Sequence, residues 1–277
     1  MMRATSFSLN WLPWGLLSKL RTVPYVAPVL ERAFSLASLP VRGKVVSIRA
    51  GEAKGLLFRI GRASNIWASG RVETEVQHVL RETVRPGDVF FDVGANVGFF
   101  TLLAARLVGP SGTVVAFEPQ PENLEALRGN VSLNGFSNVI VDPRAVSGSS
   151  GSGVLDWRNP PTARLVDGGE AHSGRSFSVR TTSIDDYVAD NPGHVPRMVK
   201  IDVEGHELDV IRGMKRTLLE HGPTILCELH RTNRELASAL RELGYRTRVL
   251  EEDVSVEQAP WWAHVLAHPA DVTEPRP

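Results

Sequence analysis

The chain has 277 residues, 42% of them hydrophobic and 22% charged, with a formal net charge of +0. That length accommodates one large α/β domain plus an N-terminal appendage, and the balanced charge argues against a nucleic-acid partner, whose binding rests on a basic excess. The single cysteine, Cys227, excludes an intramolecular disulfide and a cysteine-rich zinc site.

Near the N-terminus, the apolar run 11–17 is short, broken by Pro13 and Gly15, and lacks a clear small-residue cleavage site. It does not read as a secretory signal, and nothing in the chain approaches the length of a membrane span; a cytoplasmic protein is expected. Residues 11–39 are apolar and interrupted by three prolines. They read as two short helices packed on the domain or on the partner in a homodimer, the alternative being peripheral membrane contact or a lid over a lipid substrate. Arginine outnumbers lysine, and alanine, glycine and proline are abundant, a composition that suits a GC-rich bacterial genome.

Residues 45–50 and 56–60 are β-rich runs around a glycine-bounded turn and predict a hairpin. Val76, Val79, Leu80 and Val84 recur at helical spacing, so 73–84 reads as a helix. Strands follow at 89–93, 113–117 and 139–141, alternating with helices from 99 and over 121–133. Residues 148–153 then read as a glycine/serine turn, and 159–176 as a polar, glycine- and proline-rich loop over a site. A strand is expected at 178–182, then a short helix capped by Ser183. A strand at 198–203, a helix over 207–220, a strand at 224–229 and a helix over 233–243 come next, with closing strands at 246–250 and 263–267. Strand–helix alternation with short links means a doubly wound, mostly parallel sheet. Residues 1–72 form a helical and hairpin extension, and 73–277 the main domain.

Residues 91–98, Phe-Asp-Val-Gly-Ala-Asn-Val-Gly, run from a strand end into a glycine turn and a helix. In open α/β sheets ligands bind at such strand ends, and glycines let the backbone approach them closely. The spacing lacks the further glycine of a dinucleotide fingerprint. S-adenosylmethionine, which has a ribose, an adenine and a zwitterionic amino acid but no phosphate, is the better match. Asp92 is then placed to act on the methionine ammonium, directly or through water. Glu118, ending the next strand, is placed to accept from both ribose hydroxyls, with Pro119 turning the chain away. Asp142 and Ala145-Val146-Ser147 lie where an adenine pocket would form. Gly94, Asn96, Gly98 and, more weakly, Thr101 complete the candidate cofactor set. An ordinary strand–helix turn is the bland reading of the two glycines, and Glu118 counts against it.

The second informative segment, Lys-Ile-Asp-Val-Glu-Gly-His-Glu at 200–207, puts charges where a central strand is normally apolar on both faces. Lys200, Asp202 and Glu204 share one face. On the strand at 224–229, Glu228 points the same way, and His230 follows. Buried charges are costly unless paired, so Lys200 is expected to pair with Glu228, leaving Asp202 and His230 near the reacting group. Asp202, His230 and Glu204 are the catalytic candidates; His230 has an ordinary pKa suited to accepting a proton at neutral pH. Asp202, Glu228 and His230 would also suit Mg²⁺ or Mn²⁺, a divalent metal being the less favoured reading. His206 reads as a solvated loop residue, and Glu207 as an acid that merely opens the next helix.

Residues 91–98, Phe117-Glu-Pro119, Thr182-Ser-Ile-Asp-Asp186 and 200–207 resemble the FkbM family of S-adenosylmethionine-dependent methyltransferases. The resemblance covers roughly residues 73–230. It implies a class I methyltransferase (Rossmann-like) fold with a seven-stranded sheet, and O-methylation of a hydroxyl on a small-molecule or glycoconjugate acceptor such as a sugar, polyketide or glycolipid. The alternatives are an NAD-dependent oxidoreductase, since Glu118 also suits a nicotinamide nucleotide's ribose, and a catalytically silent nucleoside-binding or scaffold protein.

Overall fold

A computed structural model of the chain describes residues 43–61, 65–159, 162–166 and 176–270. The apolar segment 11–39 and residues 160–161 and 167–175 of the expected polar loop lie outside the described residues. The chain divides into two compact units between Thr74 and Glu75.

In the first unit, β1 (Val45–Ser47) and β2 (Leu57–Arg59) pair antiparallel, with Val46 opposite Phe58. This is the expected hairpin, and its inward residues Ile48, Leu56 and Phe58 are buried. A short helix, α1 (Asn65–Ser69), follows.

Helix α2 (Thr74–Thr83) leads into the second unit and buries Val76, Val79 and Leu80, the stripe its spacing predicts. The chain then alternates through β3 (Val89–Val93), α3 (Phe99–Val108), β4 (Thr113–Phe117), α4 (Pro121–Leu133) and β5 (Val139–Asp142). It crosses a small sheet made of β6 (Ala145–Val146), β7 (Gly151–Asn159), β8 (Thr162–Val166) and β9 (Ser176–Thr182). After α5 (Ile184–Asp190) come β10 (Met198–Ile201), α6 (Glu207–Arg212), α7 (Lys215–His221), β11 (Thr224–Glu228), α8 (Asn233–Glu242), β12 (Tyr245–Val249) and β13 (His264–Pro269).

Seven of these strands form one sheet in the order β12-β13-β11-β10-β3-β4-β5. All its pairings are parallel except those of β13, which runs antiparallel to both β11 and β12. The chain works outward from β3 to β5, then returns to lay β10 on the other side of β3. The β3/β10 junction is therefore the topological switch point, where parting loops open a crevice. Both strands are buried along nearly their whole length, which explains their apolar composition. Behind them, Phe91, Phe117 and Tyr187 meet edge to face at 5.1–5.7 Å.

Three expectations change. The stretch 159–176, expected as a loop, contains β8, which pairs antiparallel with β7. The glycine/serine segment at 148–153 is only partly a turn, because Gly151 begins β7, which pairs with β9 from Gly151↔Thr181 to Asp156↔Ser176. The expected helix 207–220 is two helices. A Cβ on Gly213 would stand 2.2 Å from the Ser147 carbonyl oxygen, so the chain bends there against the β6 turn. The Asp185 carboxylate then caps the start of α7, accepting from the backbone N–H groups of Arg216 and Thr217. Within Thr182–Asp186, Ser183 caps α5 by accepting from Asp186 N, as expected.

Candidate active site

A solvent-open cleft sits at the switch point. Its walls include Gly94 and Asn96 after β3, Glu118, Pro119, Gln120 and Asn123 after β4, Ala145, Val146 and Leu155 from the small sheet, and Asp202, Val203, Glu204 and His206 after β10. Two segments about a hundred residues apart in sequence thus share one cleft, because β3 and β10 are neighbours.

One end of the cleft is organised around Glu118. Its Oε2 accepts from the Asn96 backbone N–H at 2.8 Å, and its Oε1 from the Gln120 N–H at 2.9 Å. Asn96 makes its bond from a left-handed backbone, φ 50°, an unfavourable conformation for a residue with a Cβ that is held where a turn needs it. Burial raises the Glu118 pKa to about 7, with the backbone hydrogen bonds opposing the rise. Asn123 Nδ2 also donates to Oε1, at 3.5 Å, and Oε2 keeps a lone pair for a hydroxyl donor.

The other expected cofactor residues separate. Gly94, Pro119 and Ala145 line the cleft; Asp92, Gly98, Thr101 and Asp142 do not. Asp92 is 1% exposed, and its Oδ2 accepts from Thr101 Oγ1 at 2.5 Å. Thr101, fully buried, therefore positions Asp92 and has no face on the cleft. Burial raises the Asp92 pKa, with Lys200 and Thr101 opposing, and Asp92 Oδ1 has no hydrogen-bond partner among the described residues. Asp92 thus lies buried beneath the glycine turn, off the cleft wall. Gly98 sits at φ +92°, a backbone that L side chains rarely adopt, and a Cβ there would also meet Leu127 Cδ1 at 2.5 Å. Asp142 is gripped by Arg144, whose guanidinium reaches Oδ2 at 2.6 Å; it shapes the corner after β5.

At the other end of the cleft, Lys200 is 2% exposed. The parallel register sets it beside Asp92 on β3 and Leu226 on β11. Its Nζ lies 3.2 Å from Asp202 Oδ2 and 5.0 Å from the Phe100 ring centroid. Lys200 is thus paired with Asp202, a contact that the expected Lys200–Glu228 pairing did not include. Burial alone would raise the Asp202 pKa, but Lys200 and then His230 outweigh it and hold the carboxyl below its ordinary value.

His230 has its Nδ1 2.9 Å from Glu207 Oε1. Its Nε2 lies 3.5 Å from Glu204, 3.9 Å from Glu228 and 4.0 Å from Asp202. Burial would lower its pKa, yet the Glu207 hydrogen bond and the Asp202, Glu228 and Glu204 carboxylates raise it to about 9. The ordinary pKa expected for His230 is therefore corrected: at neutral pH the imidazole is a cation. Glu207 is fully buried, which a helix-opening acid need not be. His206 is also less exposed than a loop histidine; it lines the cleft, its Nε2 3.3 Å from Asp209.

One ligand atom each from Asp202, Glu228 and His230 lie within 4.8 Å of one another, a spacing fit for a divalent cation in donor type. Because Lys200 and protonated His230 already supply positive charge to these carboxylates, we read the set as an ion-pair network. Val146, of the expected adenine segment, and Phe117 and Val203, of the two motifs, also line the cleft, whereas Leu155 and Gln120 join it without having been singled out in the sequence. A β7 that begins Gly-Ser-Gly hides Leu155, and Gln120 looks like an ordinary helix-capping residue.

A parallel sheet with one antiparallel strand, ordered as above and opening a cleft at the first and fourth strands, is the class I methyltransferase architecture. The cleft residues fit its nucleoside cofactor: a glycine where a Cβ would intrude, and a buried carboxylate held toward the pocket. The methyltransferase FkbM domain matches residues 92–247, more than half of the chain. Hexuronic acid methyltransferase AglP of Haloferax volcanii is 31% identical over 175 residues, covering 62% of this chain and 70% of the relative. The 31-O-demethyl-FK506 methyltransferase FkbM of Streptomyces tacrolimicus is 30% identical over 247 residues, covering 78% and 90%. Methyltransferase 1 of Beauveria bassiana is 26% identical over 226 residues, covering 68% and 88%. The chain belongs to the FkbM family of S-adenosylmethionine-dependent methyltransferases.

Proposed function

We propose that the chain methylates a hydroxyl oxygen of a small-molecule or glycoconjugate acceptor, a sugar or polyketide being the nearest chemical classes. The observation that carries this reading is the Asp202 carboxylate, gripped by Lys200 at 3.2 Å and lining the same cleft as Gly94 and Glu118. The names of two relatives, a hexuronic acid methyltransferase and a 31-O-demethyl-FK506 methyltransferase, support acceptors of this kind.

When bound, S-adenosylmethionine supplies an electrophilic methyl group; Glu118 would hold its ribose, and the Gly94–Asn96 turn would lie against it. The rest is positioning, which in such transfers supplies most of the acceleration. Asp202 accepts a hydrogen bond from the acceptor hydroxyl and aims its oxygen lone pair along the transfer line. The cofactor would supply the methyl carbon of the new O–C bond and would keep the electron pair of its former C–S bond. The hydroxyl proton passes to Asp202, and from there to solvent. Glu204, also on the cleft wall, holds a neighbouring hydroxyl. Among the described residues no helix is long and apolar enough to cross a membrane.

The test is transfer of radiolabelled methyl from S-adenosylmethionine to a panel of hydroxylated sugars, uronic acids and macrolides. An alkali-stable methyl ether is expected. An alkali-labile product would be a methyl ester, moving the reaction from hydroxyl to carboxyl and overturning this reading.

A further inference from the structure

We propose that Glu207 is a positioning residue for methyl transfer: it locks the His230 ring so that its Nε2 end clamps the Asp202 and Glu204 carboxylates at the acceptor end of the cleft. This rests on the hydroxyl-methylation reading, in which Asp202 contacts the acceptor.

The geometry sets Glu207 apart from an ordinary acid at a helix start. Its side chain has 0% exposure. One carboxylate oxygen, Oε1, accepts from the Gly205 backbone N–H at 2.8 Å and faces His230 Nδ1 at 2.9 Å. The other, Oε2, accepts from Thr232 Oγ1 at 3.0 Å. Glu207 thus ties together three pieces of chain: the turn after β10, the head of α6 and the turn after β11. A buried carboxylate accepting from one imidazole nitrogen fixes which nitrogen keeps its proton and which way the ring faces.

Every element packed against the ring presents charge. Asp202 follows β10, with Lys200 behind it on the strand; Glu204 comes from the turn, Glu207 from α6 and Glu228 from β11. Across Glu228 lies His264 of β13, its Nε2 3.8 Å from Glu228 Oε2 and its Nδ1 2.6 Å from Glu251. Three carboxylates lie within 4.0 Å of the one Nε2, so a protonated ring offsets their mutual repulsion, with Lys200 assisting at Asp202. Glu204 stands there on a left-handed backbone, φ 53°, a cost of the kind that persists where the surroundings over-determine the conformation. His230 therefore serves as an imidazolium hub, and the proton acceptor is Asp202.

The sign of the pH dependence separates this role from that of a base. A clamp works while His230 is protonated, so turnover should hold up to about pH 9 and fall above it; a His230 base would make turnover rise through the same range. Replacing Glu207 with Gln removes the carboxylate that favours the cation. The His230 titration, followed by nuclear magnetic resonance of the ring nitrogens, should move down by about one pH unit or more. The alkaline fall in turnover should move with it, while S-adenosylmethionine affinity stays within about threefold of the parent. Glu207→Asp should restore part of the shift.

The parent protein alone supplies a further arm should Glu207→Gln not fold. Its His230 Nδ1 proton should remain hydrogen-bonded below pH 9. An unprotonated Nδ1 there, an unmoved titration in folded Glu207→Gln, or turnover rising through pH 9 would each overturn the proposal. Failure of the hydroxyl-methylation reading shows separately, as a lack of transfer by the parent to every hydroxylated acceptor while the resonance arm still reports on the Glu207–His230 clamp.

Discussion

Gly94 and Asp202 are packed so closely that a Cβ on Gly94 would stand 1.9 Å from the Asp202 carbonyl oxygen. The glycine turn after β3 and the charged segment after β10 therefore act as one mechanical piece, with Asp202 N donating to Val93 O at 2.9 Å alongside. Gly94→Ala has no space to relax into, because the obstacle is backbone, and the φ of +82° is itself unfavourable for alanine. We expect a loss of about 2–4 kcal/mol of stability together with loss of cofactor binding. At Gly98 the obstacle is the far end of the Leu127 side chain, so Gly98→Ala should cost about 1–2 kcal/mol and leave cofactor affinity nearly intact. Urea denaturation and calorimetric titration of both variants check this, and equal effects at the two glycines would contradict it.

Cofactor affinity should depend on pH through Glu118. Burial lifts its pKa to about 7 in the free protein, and the carboxylate is the form that accepts from the ribose without donating. Between pH 6 and pH 8 the ionised fraction rises about tenfold for a group titrating at 7, so S-adenosylmethionine should bind about tenfold more tightly at pH 8. Glu118→Gln should flatten that part of the dependence and weaken binding at pH 8 by about tenfold, or about 1.4 kcal/mol. Measuring parent and variant in the same buffers isolates Glu118 from the cofactor's own titration. A parent and variant with parallel profiles would remove Glu118 from the ribose.

Asp202→Asn should separate chemistry from binding. The amide keeps the shape but neither takes a proton nor holds the Lys200 charge, so turnover should fall by about 10²–10⁴-fold. Affinity for S-adenosylmethionine should change by less than about threefold, since Asp202 serves the acceptor. Single-turnover kinetics set against a binding titration distinguishes the two. Comparable losses in both would reassign Asp202 to the cofactor.

Much of this site was legible because the determinants are local. The strands at 89–93 and 113–117 are short, apolar and followed by glycine or proline, and Glu118 stands at a strand end where an acid has little other reason to be. What was not legible depends on register and burial. The Lys200–Asp202 contact depends on how Asp202 turns back as β10 ends, which the alternation of the strand does not announce. An acid at the first position of a helix has a sufficient local reason in the helix dipole, so no pattern announces that Glu207 is buried against His230. Strand β7 was hidden in the same way: Gly-Ser-Gly reads as a turn, and only pairing with β9 makes it extended.

Stability in the absence of cofactor should decline as pH rises, in two windows. Glu118 has a folded-state pKa raised from 4.5 to about 7, so its contribution is fully present below 4.5 and lost as pH rises through 7. His230 is raised from 6.5 to about 9, so its contribution is fully present below 6.5 and lost as pH rises through 9. The second window is the more diagnostic, because the solvent-exposed carboxylates of the chain have finished titrating there. Asp202, whose pKa is depressed, acts in the opposite sense and only below its unfolded value, outside both windows. A raised pKa of this size corresponds to a loss of order 3 kcal/mol across the His230 window. His230→Gln should flatten the curve between pH 6.5 and 9 and leave the Glu118 window unchanged. Urea denaturation midpoints at half-unit pH intervals measure both slopes, and a parent curve flat from 6.5 to 9 would show that the carboxylates around His230 do not hold its proton.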